Sequence, residues 1–401
     1  MIFLLQLALR NLFRNTRRSV ITAMTVTFGV ALQILGWGLI DGLDENFLRA
    51  VRTTTTGDIL LRPDGYPTDG LTYPLDQTAP APDLTGKLDA IAAPRTEFLG
   101  RIVKGAEASR VLGIGYDAVQ DPLVFPRENF QIEGAWPTGD ADEVVLGLGL
   151  ASLVDAKLGD SVVIQTRTVD GAQNAYSYTV SGIVRTDSNG LDNNGAWLDS
   201  RVADRLLSLG ERRSHVALKL PYGADRVAAK AALTGLGWTA TTTEEEAADM
   251  LAINTIRRVA LAIVVVIIMI IAALGIANTV IMAAYERVRE IGTLLSLGMR
   301  KRDVSAMFLL EGLVLGVCAG VVGSIMGIAA VKYWEFNPIE LPPEGLKAGR
   351  DMAISAFIYA KFRWPPVIAA LSFSAVIAVL ASVWPARWAA NQNPADAVRA
   401  D

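Results

Sequence analysis

The sequence predicts an α-helical membrane protein with four transmembrane helices and an α+β extracytoplasmic domain inserted between helices 1 and 2. The 401-residue chain is 51% apolar and 19% charged, and its mean hydropathy is +0.34, which is typical of a membrane protein with a substantial soluble part. Four apolar runs each approach or exceed the roughly 20 residues that a bilayer requires. The longest interval between them alternates strand-like and helix-like segments between Gly, Pro and Asp turns.

Charge divides the chain in the same way. Residues 44–249 contain 19 basic and 30 acidic side chains, and the remainder contains 18 and 11. An acidic soluble domain with basic membrane flanks argues against nucleic acid as a partner. The single cysteine, Cys318, permits no internal disulfide. With only one histidine, His215, the chain lacks the residues of a His/Cys metal site, and we interpret His215 as structural.

The chain begins with a predicted cytoplasmic amphipathic helix, residues 1–18, whose leucines share one face and whose arginines suit lipid headgroups. Transmembrane helix 1 follows at 19–43. A cleaved signal peptide would have a shorter apolar region and a cleavage site of small residues before Asp41, and this sequence has neither. We therefore expect an uncleaved signal anchor.

Residues 44–256 are predicted to form the soluble α+β domain. The predicted strands are Asp58–Leu61, Val144–Leu146, Ser161–Gln165, Tyr176–Val184 and Val216–Leu220. The predicted helices are Leu84–Ile91, Gly149–Ala156, Ser200–Leu209 and Ala224–Leu236. Transmembrane helix 2 follows at 257–284. Arg257 and Arg258 at its external end run against the positive-inside trend, although a long domain translocates largely regardless of flanking charge.

Residues 285–304 form a short charged segment between helices 2 and 3. Val288, Ile291 and Leu294 fall close to one helical face, Gly298 is suited to end that helix, and Asp303 is suited to cap the next. Two interpretations remain open on spacing alone. One is a helix that docks onto a cytoplasmic partner, and the other is a solvated basic loop.

Transmembrane helix 3, residues 305–331, carries small residues at every fourth position: Gly312, Gly316, Gly320 and Ser324. This spacing lets another helix approach closely. Glu311 is the one acid inside a predicted span. It is either a polar anchor near the charged segment or a side chain that snorkels to the interface.

The remaining predictions are a periplasmic loop at 332–365 with a helix over Met352–Phe362, transmembrane helix 4 at 366–388 and a cytoplasmic tail at 389–401. The three inner flanks, counted as residues 1–18, 285–304 and 387–401, together carry eleven basic and five acidic residues. Both termini are therefore expected in the cytoplasm. The sequence contains no phosphate-binding G-x-x-x-x-G-K-[ST] loop, no G-x-S-x-G and no H-E-x-x-H, so we expect no catalysis and no cofactor or metal on this chain.

These motifs together resemble the permeases of the type VII ABC transporters, the superfamily of MacB, FtsX and the LolC and LolE proteins. The resemblance rests on ALRNLFRNTRRS near the N-terminus, VVLGLGLASLVDAKLGDSVVI and YTVSGIVRTDSNGLDNNGAWLD in the soluble domain, NTVIMAAYERVREIGTLLSLGMRKRDV in the membrane core, and the tail NPADAVRA. It extends over nearly the whole chain, and its layout is most similar to LolC and LolE.

The resemblance implies a MacB-like periplasmic core domain, an inner-membrane location and a dimer of identical or homologous permeases served by a separate cytoplasmic ATPase dimer that binds ATP and Mg²⁺. It implies that residues 285–304 are a coupling helix, with these residues at the ATPase contact: Arg287, Arg289, Glu290, Ile291, Leu294, Leu297, Gly298 and Arg300. It further implies mechanotransmission, in which ATPase closure moves the periplasmic domain. The expected substrate is a lipoprotein or another amphiphile, passed to a periplasmic carrier or adaptor. The alternatives are an FtsX-like regulator of a periplasmic hydrolase and a membrane-anchored binding or sensor protein without an ATPase.

Overall fold

The structure, a computed structural model, forms two compact units. The residues it describes are 16–67, 72–139, 141–186, 188–340 and 357–392. The membrane unit comprises the described parts of Met1–Leu43, Ile253–Ile339 and Tyr359–Asp401, and the soluble unit comprises those of Asp44–Ala252 and Glu340–Ile358. Residues 1–15, the first five residues of the predicted helix Met352–Phe362 and the NPADAVRA segment lie outside the described residues. The described part of that predicted helix is not helical, so the prediction is wrong there: residues 357–358 form a short strand and residues 359–362 are irregular. The Lys361 amide donates to the Gly38 carbonyl at 2.8 Å instead of to a carbonyl one helical turn earlier.

The secondary structure alternates long helices with a strand-rich interval. The α-helices are α1 (Thr16–Val51), α2 (Asp121–Val124), α3 (Leu148–Leu153), α4 (Asn189–Asn194), α5 (Ser200–Leu207), α6 (Arg226–Ala232), α7 (Thr243–Glu246), α8 (Ala248–Tyr285), α9 (Val288–Ser296), α10 (Lys301–Phe336) and α11 (Trp364–Ala390). The strands are β1 (Ile59–Pro63), β2 (Ala79–Pro80), β3 (Ile91–Lys104), β4 (Glu107–Tyr116), β5 (Gln131–Gly134), β6 (Glu143–Gly147), β7 (Ser161–Arg167), β8 (Gln173–Arg185), β9 (Gly195–Asp199), β10 (Arg212–Arg213), β11 (His215–Lys219), β12 (Trp238–Thr242), β13 (Ile339–Glu340) and β14 (Phe357–Ile358).

Four of the described helices, α1, α8, α10 and α11, are long and apolar enough to cross a membrane. They share a core in which Val30, Ile276 and Phe308 are fully buried. Outward-facing residues of α8, such as Ile267 and Leu274, stay more than half exposed, as expected for helices whose outer surface meets lipid tails. These helices extend beyond the predicted spans, so the bilayer limits within them remain predictions.

The soluble unit is built on a ten-stranded mixed sheet that partly closes on itself. Strand β3 pairs with β4, and the pairing continues through β9, β6, β8 and β7 back to β3. These six strands therefore form a closed circuit, which leaves no free edge within it. Its interior is filled by apolar side chains that include Phe98, Ile102 and Ile164. A second layer, β12–β1–β11, continues from the first half of β3 and packs against α6 through Leu61, Leu218 and Leu233.

The α+β class of the soluble unit agrees with the sequence prediction. Each of the five predicted strands overlaps an observed strand, and three of the four predicted helices overlap α3, α5 and α6. The predicted helix Leu84–Ile91 is wrong, because the chain forms a turn at 85–87 before β3 begins. The backbone amide of Thr85 donates to the Asp83 carboxylate at 3.0 Å, and Gly86 has a φ of +74°. This local side-chain turn replaces the first helical turn.

Candidate functional site

The charged segment between the second and third long helices folds as α9, a short helix with a sharp end. Gly298 follows it with a φ of +94°. The Met299 amide donates to the Leu294 carbonyl at 3.0 Å, and the Gly298 amide donates to the Leu295 carbonyl at 3.1 Å. This pair of bonds is the Schellman motif, which needs a residue that enters the left-handed region at low cost. Gly298 therefore sets the angle at which the chain leaves α9 for α10.

The two faces of α9 differ in burial. Ile291 is buried in the core of the membrane unit, and Leu295 packs against that core. Arg287, at the start of the helix, is also buried, with the Glu290 carboxylate 3.9 Å from its Nε. The opposite face presents Arg289 and Glu290 to solvent.

The C-terminal end of α9 forms an exposed apex. Leu297 is 80% exposed, and Gly298 and Arg300 beside it are also exposed, whereas Leu294 is half-buried. The eight predicted contact residues therefore divide into a group that packs on the membrane unit and a group that is exposed at the surface.

The end of α11 contacts the helices on both sides of α9. The rings of Tyr285 and Trp388 lie with centroids 4.3 Å apart. The Ser305 hydroxyl donates to the Ala386 carbonyl at 3.3 Å. The end of α8 and the start of α10, which flank α9, are thus each in contact with α11. Asp303, predicted as an N-cap, instead lies in the first turn of α10, where its carboxylate opposes the positive end of the helix dipole.

Helices α10 and α11 pack through two matching rows of small residues. Gly312, Gly316 and Gly320 of α10 face Ser382, Ala378 and Ser374 of α11, respectively. A Cβ placed on Gly320 would lie 2.5 Å from the Ser374 Oγ, and one on Gly312 or Gly316 would overlap its opposite residue. The fourth member of the predicted row, Ser324, is buried, and its hydroxyl makes no hydrogen bond among the described residues.

A second row of glycines on α10 contacts α1. A Cβ on Gly323 would lie 2.5 Å from the Thr27 carbonyl oxygen, and one on Gly327 would lie 2.9 Å from the Ile34 Cβ. The Thr27 hydroxyl donates to the Ala319 carbonyl at 3.1 Å. Helix α10 therefore packs closely against α11 on one side and α1 on another, with glycines at both contacts. Glu311 is buried next to the first row, so the solvent-exposed snorkelling interpretation does not describe it within this unit.

A charged cluster joins α1, α8 and the residue that precedes α11. Asp41, which is almost fully buried, lies 2.9 Å from the Arg258 Nη2 and 3.8 Å from the Arg363 Nε. The Arg258 guanidinium also lies over the Trp37 ring at 5.7 Å. Arg258, one of the two arginines whose position opposes the positive-inside trend, thus neutralises a carboxylate within the membrane unit.

The soluble unit holds a second buried charged cluster. Arg95 forms a bidentate pair with Asp121 at 2.6 and 3.1 Å and donates to the Thr54 carbonyl at 2.6 Å. Burial raises the pKa of Glu97 above its ordinary value, against the opposing effect of Arg62 and Arg95. Burial also lowers the pKa of His215 well below 6.5, and the same two arginines lower it further. The His215 Nδ1 lies 3.1 Å from the Ser214 hydroxyl, which fits the structural role predicted for this histidine.

The described residues contain no cluster of three His, Cys, Asp or Glu side chains that would hold a metal ion. Cys318 is a free, exposed thiol on α10.

Comparison with known proteins agrees with this geometry. The model of the MacB-like periplasmic core domain matches residues 19–236, and the model of the FtsX-like permease C-terminal domain matches residues 262–394. The chain belongs to the MacB/FtsX superfamily of ABC transporter permeases. With four membrane-spanning helices and a domain of periplasmic type, it is an inner-membrane protein.

Two curated relatives are similar over most of the chain. An uncharacterised ABC transporter permease of Methanocaldococcus jannaschii is 26% identical over 71% of this chain and 70% of that protein. The macrolide export ATP-binding/permease protein MacB of Sodalis glossinidius is 22% identical over 99% of this chain and 60% of that protein. This chain therefore spans less than two thirds of the length of that MacB protein. Among solved structures, the periplasmic region of MacB from Actinobacillus actinomycetemcomitans matches 48% of this chain with 15% identity and a TM-score of 0.34.

Sequence reasoning missed two features of the site. The row Ser374, Ala378 and Ser382 has the same four-residue spacing as the glycines of α10, and this spacing was available as a signal. The Asp41–Arg258 pair joins residues 217 positions apart. Its only local signal is a carboxylate at the end of one apolar run and an arginine at the start of the next.

Proposed function

We propose that the chain is the permease subunit of an ABC transporter complex that works by mechanotransmission. The observation that carries this proposal is α9, a capped helix between two long apolar helices that is buried on one face and exposed on the other. A separate cytoplasmic ATPase dimer, with its own ATP and Mg²⁺, would bind the exposed apex around Leu297 and Arg300. The chain itself would be no enzyme and would carry no cofactor.

The helix contacts provide a route for the motion. A displacement of α9 acts on α10 through the short turn at Gly298. Because α10 is in near-backbone contact with α11 and α1, the three helices would shift together rather than slide past each other. Helix α1 continues to Val51, eight residues before β1, and α8 starts two residues after α7. Movement of these helices would therefore reach the soluble domain directly.

The topology that follows has both termini and α9 in the cytoplasm and the soluble unit in the periplasm. A second permease subunit, identical or homologous, would complete the complex, and membrane lipids would surround it. The basic inner flanks support this orientation.

For the cargo, we propose a lipoprotein or another amphiphile that is released from the inner membrane to a periplasmic carrier or adaptor. The resemblance of the layout, four long apolar helices with one large soluble domain, to LolC and LolE supports this choice. The alternative is an FtsX-like regulator, in which the same motion activates a periplasmic hydrolase. Crosslinking from the soluble unit distinguishes them, because a lipid-modified cargo supports the first and a hydrolase supports the second.

The test of the coupling assignment uses two exposed apolar residues of nearly equal exposure. Leu297 is 80% exposed on the apex of α9, and Val119 is 78% exposed in the soluble unit. In a mild detergent, the wild-type chain and the Val119→Asp variant should co-purify with an ATP-binding subunit from the native membrane. The Leu297→Asp variant should lose that subunit while remaining folded. Recovery of no ATP-binding partner with the wild-type chain would reject the proposal in favour of a membrane-anchored sensor.

A further inference from the structure

The outer face of the closed strand circuit carries three arginines on neighbouring strands. Arg110 of β4 is directly opposite Arg101 of β3, which is in turn opposite Gln165 of β7. Arg167 lies two residues further along β7 and therefore on the same face. All three side chains are exposed, and none of them forms an ion pair or a hydrogen bond among the described residues.

This arrangement is unfavourable for the sheet by itself. Like charges directly opposite each other on antiparallel strands destabilise the pairing. Residues 44–249 also have an excess of acidic side chains, 30 against 19 basic ones, so carboxylates that would neutralise these arginines are abundant elsewhere in the unit. Three neighbouring guanidinium groups that form no ion pair are suited to bind an anion, since each offers a planar fork of hydrogen-bond donors.

A groove of about 1030 Å³ adjoins these arginines. Arg101 and Arg167 line it, and two carboxylates, those of Asp76 and Asp170, line it as well. These carboxylates are not within 4 Å of either arginine, and neither forms an ion pair among the described residues. The groove therefore holds separate positive and negative sites, with apolar surface from Leu99 and Val169 nearby.

We propose that this groove binds the zwitterionic headgroup of an aminoethyl phospholipid. Arg101 and Arg167 are diagonal neighbours on paired strands, about 7–8 Å apart at their origins, which is within reach of long side chains. They would hold the phosphate between them, with Arg110 adding positive charge from β4. The ammonium group would lie toward Asp170 and Asp76. A simple anion would satisfy only the arginines, whereas this headgroup satisfies both sets of charges.

The experiment uses the full chain in a phosphate-free sugar detergent and three soluble probes: O-phosphoethanolamine, inorganic phosphate and a hexaglutamate peptide. Binding is measured by calorimetric titration. The variants are Arg101→Gln/Arg167→Gln, Asp170→Asn and the control Arg205→Gln, which removes an exposed arginine from α5 of the same unit. Circular dichroism verifies that each variant is folded.

The expected result is that phosphoethanolamine binds more tightly than inorganic phosphate and that Asp170→Asn reduces this difference, since Asp76 alone then faces the ammonium group. The double arginine variant should weaken binding of both probes by about tenfold or more, as the loss of charge-assisted bonds predicts, and Arg205→Gln should change neither. The proposal is overturned if Asp170→Asn has no effect, if hexaglutamate binds most tightly, or if no probe binds saturably. Because no ATPase or nucleotide is present, the result does not depend on the coupling proposed for α9.

Discussion

Gly316 of α10 lies directly against Ala378 of α11, and a β-carbon at position 316 would overlap the β-carbon of Ala378. The Ser374 carbonyl oxygen, one turn away on α11, would lie 3.2 Å from the same β-carbon. Neither of these two atoms, a backbone oxygen and the β-carbon of an alanine, belongs to a flexible side chain that could move aside. The two helices can keep this distance only while position 316 has no side chain.

Replacement of Gly316 by alanine should therefore destabilise the membrane unit although alanine is the better helix former. Overpacking costs about 1–3 kcal/mol, which exceeds the gain of up to about 1 kcal/mol in helix propensity. Gly275→Ala on α8 is the matched control, because its Cβ would lie 3.5 Å from the Thr22 Cγ2, an ordinary contact. Thermal unfolding in detergent should show a lower midpoint for Gly316→Ala only. The added mutation Ala378→Gly should restore it, and failure to do so would argue against this contact as the cause.

At Gly298 the constraint is conformational instead of steric. A Cβ at this position would meet no atom within 4 Å, so the cost of a side chain comes from its φ of +94° alone. Alanine should cost about 1–2 kcal/mol and asparagine less, since asparagine tolerates the left-handed region better. We expect the ATPase stimulation by the assembled complex to fall in the order Gly, Asn, Ala, Val. Equal stimulation by the glycine and valine forms would show that the exit angle from α9 does not matter for coupling.

The sequence was sufficient for features with a local or periodic signal. The four apolar runs, the small-residue period of α10 and the end of α9 at Gly298 all depend on residues close together in the chain. Strand β3 shows where this fails. It contains Pro94, Arg95, Glu97 and Gly100, which do not alternate as a half-buried strand should.

Two of these residues, Arg95 and Glu97, are stabilised inside the soluble unit by partners that are distant in the sequence. Arg95 pairs with Asp121 and the Thr54 carbonyl, and the Glu97 amide donates to the Ser214 hydroxyl at 2.9 Å. Neither contact has a local signature. The cluster of Arg101, Arg110 and Arg167 could not be predicted for the same reason, since only the strand register brings these three residues together.

His215 should make the soluble unit less stable as the pH falls. Its pKa in the folded chain lies well below 6.5. As the pH falls, the histidine of the unfolded chain therefore binds a proton at a higher pH than that of the folded chain, which favours unfolding. Stability attributable to this histidine is present above pH 6.5 and is lost below it, with a limiting slope of about 1.4 kcal/mol per pH unit. Glu97, whose pKa is raised, acts in the opposite sense, because its contribution is lost as the pH rises.

Comparison with His215→Gln separates these two effects. The variant keeps Glu97, Arg62 and Arg95, and its amide can still bond to the Ser214 hydroxyl. Denaturant unfolding of the two proteins, followed by intrinsic fluorescence between pH 7.5 and 5.5, should show a difference that grows in favour of the variant as the pH falls. A pH-independent difference would mean that folding does not change the pKa of the histidine.

Asp41 should stabilise the membrane unit through its two arginines. Its carboxylate is buried and lies 2.9 Å from the Arg258 Nη2 and 3.8 Å from the Arg363 Nε, so Asp41→Asn removes one negative charge that faces both arginines. Breaking a buried pair from one side costs about 3–5 kcal/mol, and the half-exposed arginines reduce this figure. We expect a clear fall in the thermal midpoint of Asp41→Asn.

The double variant Asp41→Asn/Arg258→Gln tests whether the loss belongs to the pair. Since both partners are then neutral, the loss should be smaller than the sum of the two single variants, with a coupling of about 1–3 kcal/mol. Lys332→Gln is the matched control, because it removes a cation of the same unit whose partner, Glu335, is only three residues away. Additive losses for Asp41 and Arg258 would mean that each residue acts through other neighbours, and the cluster would then not join α1 to α8.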